Sequence, residues 1–258
     1  MEVPLYAEPV FHLGNFIITN SLIMAWLVMI VLVWLAVKIR KNIASSPNKI
    51  QNSAELVIEA LYDLVKQVAG DRAKTFFPII TTIFFFILAS NWIGLLPGVS
   101  SIGFYEHLHG KIVFVPFLRS SAADLNITLG LGIITVVLTQ YFGIRFKGIY
   151  GYIRHYFHNP LKGGIALILL GVLLGAFVGA LEVVSEFVKI ISLSLRLFGN
   201  VYAGEVVIGT ISGIMGYIAP VPFLLLETIV GLVQAAVFSL LTLVFFSIIS
   251  QPIDHESH

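Results

Sequence analysis

Long runs of apolar residues constrain this sequence more than any other feature. Segments 17–37 and 76–96 carry no charge and have about the 20 residues that an α-helix needs to cross a bilayer. Segment 125–144 is a third such run, with Asp124 just at its start. Of the 258 residues, 58% are hydrophobic and only 11% are charged, against roughly 25% in a soluble domain. The sequence therefore predicts an all-α protein that crosses the membrane several times.

The charged stretch between the first two runs has a different pattern. In segment 53–68, apolar residues recur at helical spacing among charged residues such as Glu59 and Lys66. An apolar face opposite a charged face is typical of a helix in the membrane interface. We therefore predict an amphipathic helix that lies on the membrane surface or bridges two spans.

The apolar region after Pro160 is too long for one upright span. A continuous helix over segment 163–214 measures about 78 Å, against roughly 30 Å for the hydrocarbon core. The segment folds either into two spans or into one strongly tilted helix. Segment 217–250 is also longer than an upright span requires, and the sequence around Gly216 and Pro220 predicts a turn between the two segments.

Lysine and arginine are distributed unevenly between the two ends of the predicted spans. Segments 38–75 and 145–162 contain eleven of them, whereas segment 97–123 contains only Lys111 and Arg119. Basic residues concentrate on the cytoplasmic side of membrane proteins. If the last region crosses as two helices, we expect five crossings, an external N-terminus and a cytoplasmic C-terminus. The first apolar run has no basic region before it and no small-residue cleavage site after it, so we expect no cleaved signal peptide.

A single arginine, Arg196, lies in the middle of the long apolar region. Its guanidinium stays protonated at cellular pH, and holding it at bilayer depth costs at least about 2.5–3.5 kcal/mol, so it requires an anionic partner or water. On a helix at about 100° per residue, five polar residues lie on the same face as Arg196. They are Glu182, Ser185, Lys189, Ser192 and Asn200. Ionisable groups inside a membrane typically mark an ion pathway.

Two further acids lie apart from this stripe. Glu205 is about 13 Å further along the helix than Arg196 and roughly half a turn away in angle. In the last apolar segment, Glu227 and Gln234 share a face, with the small Gly231 close by. These charges could simply pair with one another inside a helix bundle. Acids at separate depths around one arginine favour water-filled routes instead.

Several kinds of chemistry are excluded by the composition. Because the sequence has no cysteine, thiol catalysis and cysteine-ligated metals are excluded, and there is no phosphate-binding glycine loop or nucleophile triad. The net charge of +1 points to no nucleic-acid partner. His155 and His158 belong to a basic, aromatic segment of interfacial character. We expect no metal site, no cofactor and no enzymatic activity in this chain alone.

Three segments resemble the signature of subunit a of the rotary F-type ATP synthase, the stationary half of its membrane ion channel. They are SLSLRLFGNVYAGE at 192–205, NWIGLLPG at 91–98 and SAADLNITL at 121–129. The segment LVQAAVFSLLTLVFF, which contains Gln234, is similar too. The resemblance covers most of the chain and is weakest before about residue 50. It implies a fold whose last two long, steeply tilted helices lie against a rotor ring, so that segment 163–214 is one helix.

The same resemblance implies roles for the residues around the arginine. Arg196 faces the lipid-embedded carboxylate of the rotor ring, which is built from c subunits, and Asn200 and Gln234 are its polar neighbours. Further polar residues line the half-channel that opens to the cytoplasm. They are Glu182, Ser185, Glu186, Lys189 and Ser192.

The resemblance also implies a half-channel that opens to the outside. Glu205 and Glu227 line it, and Asp124 and Asn126 contribute near its mouth. Many members of the family have a histidine at the position of Glu227, paired with a glutamate at the position of Glu205. This chain has two acids there, so the pair differs from the usual relay of an acid and an imidazole.

The resemblance implies a non-catalytic subunit that carries protons to and from the rotor carboxylate and so couples proton flow to rotation and ATP synthesis. Its expected partners are the c-ring, the peripheral stalk b subunits, the other synthase subunits and the lipid of a bacterial plasma membrane. A self-contained secondary transporter would instead require internal repeats and broken helices, which the sequence lacks. A structural subunit of a respiratory complex is a third interpretation. Sodium ions are the alternative to protons, since the rotor carboxylate that decides between them is not in this chain.

Overall fold

α-Helices make up most of the structure, a computed structural model that describes residues 7–13, 16–41, 49–96, 98–99, 102–108, 111–156, 165–216 and 218–251. The helices are α1 (Asn20–Lys41), α2 (Lys49–Ala69), α3 (Ala73–Gly94), α4 (Leu125–Tyr156), α5 (Ile165–Met215) and α6 (Val221–Ser250). Five helical stretches of the described chain are long and apolar enough to cross a membrane. The prediction of an all-α polytopic membrane protein is confirmed.

Two short β-hairpins were missed by the sequence analysis. β1 (Pro9–Leu13) pairs with β2 (Phe16–Thr19), and β3 (Gly103–Leu108) pairs with β4 (Lys111–Pro116), both antiparallel. The second hairpin occupies part of the predicted loop 97–123. The first hairpin is followed directly by α1, and the second is followed by a short 3₁₀ turn (Ser121–Ala123) and then by α4.

The first span begins three residues later than residue 17, the predicted start. Ile17 and Ile18 belong to β2, because β-branched residues pair readily in strands. At the start of α1, the Thr19 hydroxyl accepts a hydrogen bond from the Leu22 N–H at 3.3 Å. This bond satisfies one of the backbone donors that the first turn leaves free, and so it caps the helix.

The charged segment forms α2, which is longer than the predicted 53–68. One face of α2 packs against α3 and α6, and Val65 is buried there at 2% exposure. The acidic side chains of Glu55, Glu59 and Asp63 are exposed on the other face. The helix is therefore amphipathic, as its spacing predicts.

Helix α4 continues past residue 144, the predicted end of its span. The backbone at Gly148 departs from helical geometry, with φ 72° and ψ 162°. Only glycine adopts a positive φ of this kind without steric cost. The helix therefore kinks just after the apolar run ends, and its last turns point in a new direction.

The long apolar region forms the single helix α5, with no division into two spans. Its 51 residues correspond to about 76 Å, more than twice the hydrocarbon thickness of roughly 30 Å. Gly216, at φ 71°, ends the helix in a left-handed conformation. Pro220 then precedes the first residue of α6, so the chain reverses between two long helices.

The core of the bundle fixes which face of α5 looks inward. Leu193 and Leu197 of α5 are 2% and 0% exposed and belong to one cluster with Ile87 of α3 and Phe238 of α6. A second cluster packs aromatic rings from α3, α4 and α6. Its central pair, Phe76 and Phe142, has ring centroids 5.0 Å apart. The remaining faces of α5 are free to carry polar residues.

Candidate functional site

Arg196 lies on the exposed side of α5, in the turn that carries two fully buried leucines. Its neighbours Leu193 and Leu197 point into the core, and the Arg196 side chain is exposed. Within the part of the chain that the structure describes, Arg196 makes no hydrogen bond or ion pair. A permanent cation at this depth in an apolar helix requires an anion from outside the chain, or water.

One turn beyond Arg196, a pair of amides links α5 to α6. Asn200 Nδ2 donates a hydrogen bond to Gln234 Oε1 at 2.9 Å. Gln234 is only 5% exposed, and its Nε2 has no partner among the described residues. A buried amide donor without a protein partner is a place where water binds.

A partly open cleft begins beside this amide pair, between α3, α5 and α6. Its interior volume is about 20 Å³, which is room for roughly one water molecule. Its polar lining residues are Asn91, Ser120, Asn200, Glu205, Glu227 and Gln234. The structure therefore brings together four residues that the sequence analysis selected from two separate segments.

The α3 side of the cleft is held by hydrogen bonds to the backbone of α6. Asn91 Nδ2 donates to the Gly231 carbonyl at 3.1 Å, and Trp92 Nε1 donates to the Thr228 carbonyl at the same distance. Asn91 Oδ1 is buried and has no partner in the described chain. Together with Gln234 Nε2, it gives the cleft an unused acceptor and an unused donor for water.

Glu205, which lines the cleft, is paired with a cation from another part of the chain. Arg119 lies between β4 and α4, and its Nε and Nη2 are both 3.1 Å from Glu205 Oε2. The side chain of Arg119 is 5% exposed and that of Glu205 is 24% exposed. The ion pair is thus largely removed from water, where attraction between opposite charges is strong.

Glu227 approaches the same wall of the cleft from α6. Its carboxylate lies directly against Gly204, so closely that a Cβ on that residue would overlap it. Among the described residues, Glu227 forms no hydrogen bond or ion pair. Of the two acids, Glu205 is therefore paired. Glu227 places an unpaired carboxylate against Gly204, the residue just before Glu205.

The polar residues on the other side of Arg196 are arranged differently. Lys189 Nζ is 2.6 Å from Glu186 Oε1, an ion pair within one turn of α5, and it also lies 5.0 Å from the ring centre of Phe245. Glu182 interacts electrostatically with Lys147 of α4. Ser192 is exposed on α5, as is Ser185.

Asp124 and Asn126 do not line the cleft. Asp124 is 5% exposed; its Oδ1 accepts from the Asn126 N–H at 2.9 Å and its Oδ2 accepts from the Ser21 hydroxyl at 2.5 Å. Asp124 thereby caps the start of α4 and ties it to the start of α1. The Asn126 side chain is exposed.

Arg119 and Asn91 were missed as site residues by the sequence analysis. Asn91 had a usable signal, since it is a polar residue near the end of an apolar run. Arg119 was counted only as one of two basic residues in a loop, because sequence spacing does not show that the loop folds back onto α5. No group of histidine and acidic residues in the described ranges could hold a metal ion.

A bundle of apolar helices whose described part carries an unpartnered arginine in the middle of a long helix, with acids on either side of it along the chain, is typical of an ion-conducting membrane protein. Comparison with known proteins gives the family. Residues 22–247 match the family described as ATP synthase A chain, and the chain belongs to this family.

Curated relatives carry the name ATP synthase subunit a. The relative from Moorella thermoacetica is 30% identical over 92% of this chain and 94% of its own length. Relatives from Syntrophobacter fumaroxidans and Gloeobacter violaceus are 32% and 30% identical, over 91% and 93% of this chain and 85% and 86% of their own lengths. The similarity therefore extends over nearly the whole chain.

Proposed function

We propose that this chain is the stationary proton-channel subunit of a rotary ATP synthase, with Arg196 as the residue that separates two half-channels. The chain is a multi-pass membrane protein and is not itself the catalyst of ATP synthesis. The observation that carries the assignment of Arg196 is its exposure on α5 without a partner in the described chain. Polar groups lie on both sides of it, at Glu186 and at Glu205, about 15 Å and 13 Å away along the helix.

The anion that Arg196 requires is a carboxylate of the c-ring. A rotor carboxylate that has taken up a proton is neutral and can move through lipid, whereas an ionised one cannot do so at acceptable cost. Because Arg196 never loses its charge, it attracts the carboxylate in its ionised form as it passes. The same charge repels a proton that would otherwise cross directly from one route to the other.

The outer route is the cleft that contains Glu205 and Glu227, with Asn200 and Gln234 between it and Arg196. Its unpaired amide atoms provide places for water that relays the proton. Asp124 acts at the outer end of the route by tying α4 to α1, and Asn126, whose side chain is exposed, acts near its mouth. The inner route follows Glu182, Lys189 and Ser192, together with Ser185 and Glu186.

The remaining assignments concern the surroundings of the chain. α5 and α6 are tilted against the c-ring, since α5 is far too long to stand upright in the bilayer. We assign the chain to a bacterial plasma membrane, with the N-terminus outside and the C-terminus in the cytoplasm. The peripheral stalk b subunits are further partners, and the transported ion is H⁺.

The test is ATP-driven proton pumping in vesicles that contain the assembled complex, with Arg196→Ala compared with the unchanged chain. We expect pumping to be lost while passive proton leak persists or rises. The matched control is Arg40→Ala, which removes an exposed arginine at the end of α1. Pumping that survives in Arg196→Ala at normal complex assembly would contradict the role of Arg196 as the separator.

A further inference from the structure

The cleft residue Glu205 is paired with a cation that the sequence motifs do not indicate. Arg119 reaches Glu205 from a segment more than eighty positions earlier in the chain, and its side chain is 5% exposed. Burying a guanidinium at this depth is costly unless it is paired and hydrogen-bonded. Arg119 is paired with Glu205 and donates one hydrogen bond to it, from Nε to Oε2 at 3.1 Å.

The backbone that carries Arg119 is firmly held. The next residue, Ser120, is 4% exposed and its hydroxyl donates to the Ser90 carbonyl of α3 at 3.4 Å. Gly94 leaves the space for this contact, since a Cβ there would lie 2.7 Å from the Ser120 Cβ. Ser121, Ala122 and Ala123 follow as a short buried 3₁₀ turn that contacts α5. Arg119 is therefore presented to Glu205 by a rigid part of the fold.

The two acids of the cleft differ in whether a cation lies close to them. Glu205 and Glu227 come from adjacent helices, and their only close cation in the described chain is Arg119, which contacts Glu205. The pair offsets one negative charge. Glu227 is left as the acid whose charge nothing in the described cleft offsets. It lines the same cleft as Asn91 Oδ1 and Gln234 Nε2, two buried atoms without a partner in the described chain that can bind water.

We propose that Arg119 is a positioning residue of the outer half-channel: it holds Glu205 as a fixed, charge-balanced part of the wall and leaves Glu227 as the acid that exchanges protons. This inference rests on the proposed function, because it assigns different roles to the two acids of the same route. This role also accounts for the lack of a histidine at position 227, where many family members have one. The permanent charge of Arg119 takes the place of a histidine, whose charge would change with its protonation.

Removing Arg119 alone should therefore be worse than removing the pair. A neutral residue at 119 leaves the largely buried Glu205 carboxylate without its cation, while the Glu227 carboxylate lies against the adjacent Gly204. Breaking one partner of a buried ion pair is strongly unfavourable, whereas replacing both partners by neutral groups is often tolerated. If Glu205 itself carried protons, neutralising both would abolish transport.

The experiment measures ATP-driven proton pumping in vesicles that contain the assembled complex. The variants are Arg119→Gln, Arg119→Lys, Glu205→Gln, the double variant Arg119→Gln with Glu205→Gln, and Glu227→Gln. Arg40→Gln is the matched control for loss of an arginine. The amount of this chain in the purified complex, and the thermal unfolding of the complex, are measured for each variant so that loss of assembly is separated from loss of transport.

We expect Arg119→Gln to lower pumping by at least about tenfold and the double variant to recover to within about threefold of the unchanged complex. Arg119→Lys, which keeps the charge but loses the planar guanidinium, should fall between them. A double variant as inactive as Glu205→Gln alone, or Arg119→Gln with unchanged pumping, would overturn the inference while leaving the outer route intact. Normal pumping by Glu227→Gln would instead contradict the proposed outer route itself.

Discussion

The two polar regions on either side of Arg196 differ in how their charges meet. In the outer region, Glu205 and Glu227 come from different helices, and the cation comes from a distant segment of the chain. In the inner region, Glu186 and Lys189 pair within one turn of the same helix. An ion pair between neighbours on one helix depends little on tertiary structure, whereas the outer arrangement exists only when three elements are correctly packed.

This difference predicts which of the two regions tolerates amino-acid substitutions better. The outer cleft is assembled from α3, α5, α6 and the segment before α4, so a small displacement alters distances between charges that are partly removed from water. In the inner pair the cation is the more exposed partner, with 27% of the Lys189 side chain accessible against 5% for Arg119, while the acid Glu186 is 12% exposed against 24% for Glu205. We expect substitutions in the outer region to have the larger effects on transport.

Glu227→Gln should have the largest effect of the substitutions that compare the two regions. The amide keeps the size of the carboxylate but cannot exchange a proton, and removing a group that transfers protons typically costs about a hundredfold or more. The initial rate of ATP-driven pumping in vesicles measures the effect. Glu186→Gln is the counterpart in the inner region, and an equal loss in both variants would show that the two regions do not differ as we argue.

Gly204→Ala should lower pumping by about tenfold, because the new Cβ occupies space now filled by the Glu227 carboxylate. The displaced carboxylate would point away from the cleft. Gly213→Ala is a matched control on the same helix, where an added Cβ meets nothing within 4 Å. Equal pumping by the two alanine variants would mean that the close approach of Glu227 to α5 has no part in transport.

Much of the fold could be predicted from the sequence, because the length and spacing of apolar runs determine membrane helices almost directly. The single helix α5 could not be chosen on length alone; two spans satisfied the same composition, and only the resemblance favoured one. The hairpins were missed because their strands are short and flank longer apolar segments. The start of the first span was misplaced for the same reason, since Ile17 and Ile18 are as apolar as the helix that follows.

Some residues of the candidate site could be predicted from the sequence and others could not. The difference is whether their contacts lie within one helix or join segments far apart in the chain. The helical period places Glu227, Gly231 and Gln234 on one face, and all three line the cleft. The helical period cannot predict the contact between Arg119 and Glu205, because that contact depends on how the segment before α4 folds against the helices. Asp124 looked like a group of the outer mouth, yet its carboxylate is occupied in capping α4.

Asn200→Ala should have a moderate effect, about threefold to fivefold on pumping. It removes the part-buried hydrogen bond to Gln234, and a typical hydrogen bond within a protein contributes about 0.5–1.5 kcal/mol. Thr210→Ala on the same helix is the control, because its hydroxyl only donates to the Val206 carbonyl within α5. A loss in the control as large as that in Asn200→Ala would attribute the effect to α5 and not to the amide pair.

Lys189→Met should have the smallest effect, about twofold or less on pumping. The ion pair with Glu186 joins residues three positions apart on one helix, its lysine end is 27% exposed, and pairs at this spacing contribute about 0.2–0.5 kcal/mol. Methionine retains the apolar length that packs against Phe245, so the loss of charge is tested without a large change in volume. Measuring the same variant at low and high salt sharpens the comparison, since added salt screens exposed charges and should reduce the small difference further. A loss approaching that of Glu227→Gln would mean that the inner region, like the outer cleft, depends on one irreplaceable charge.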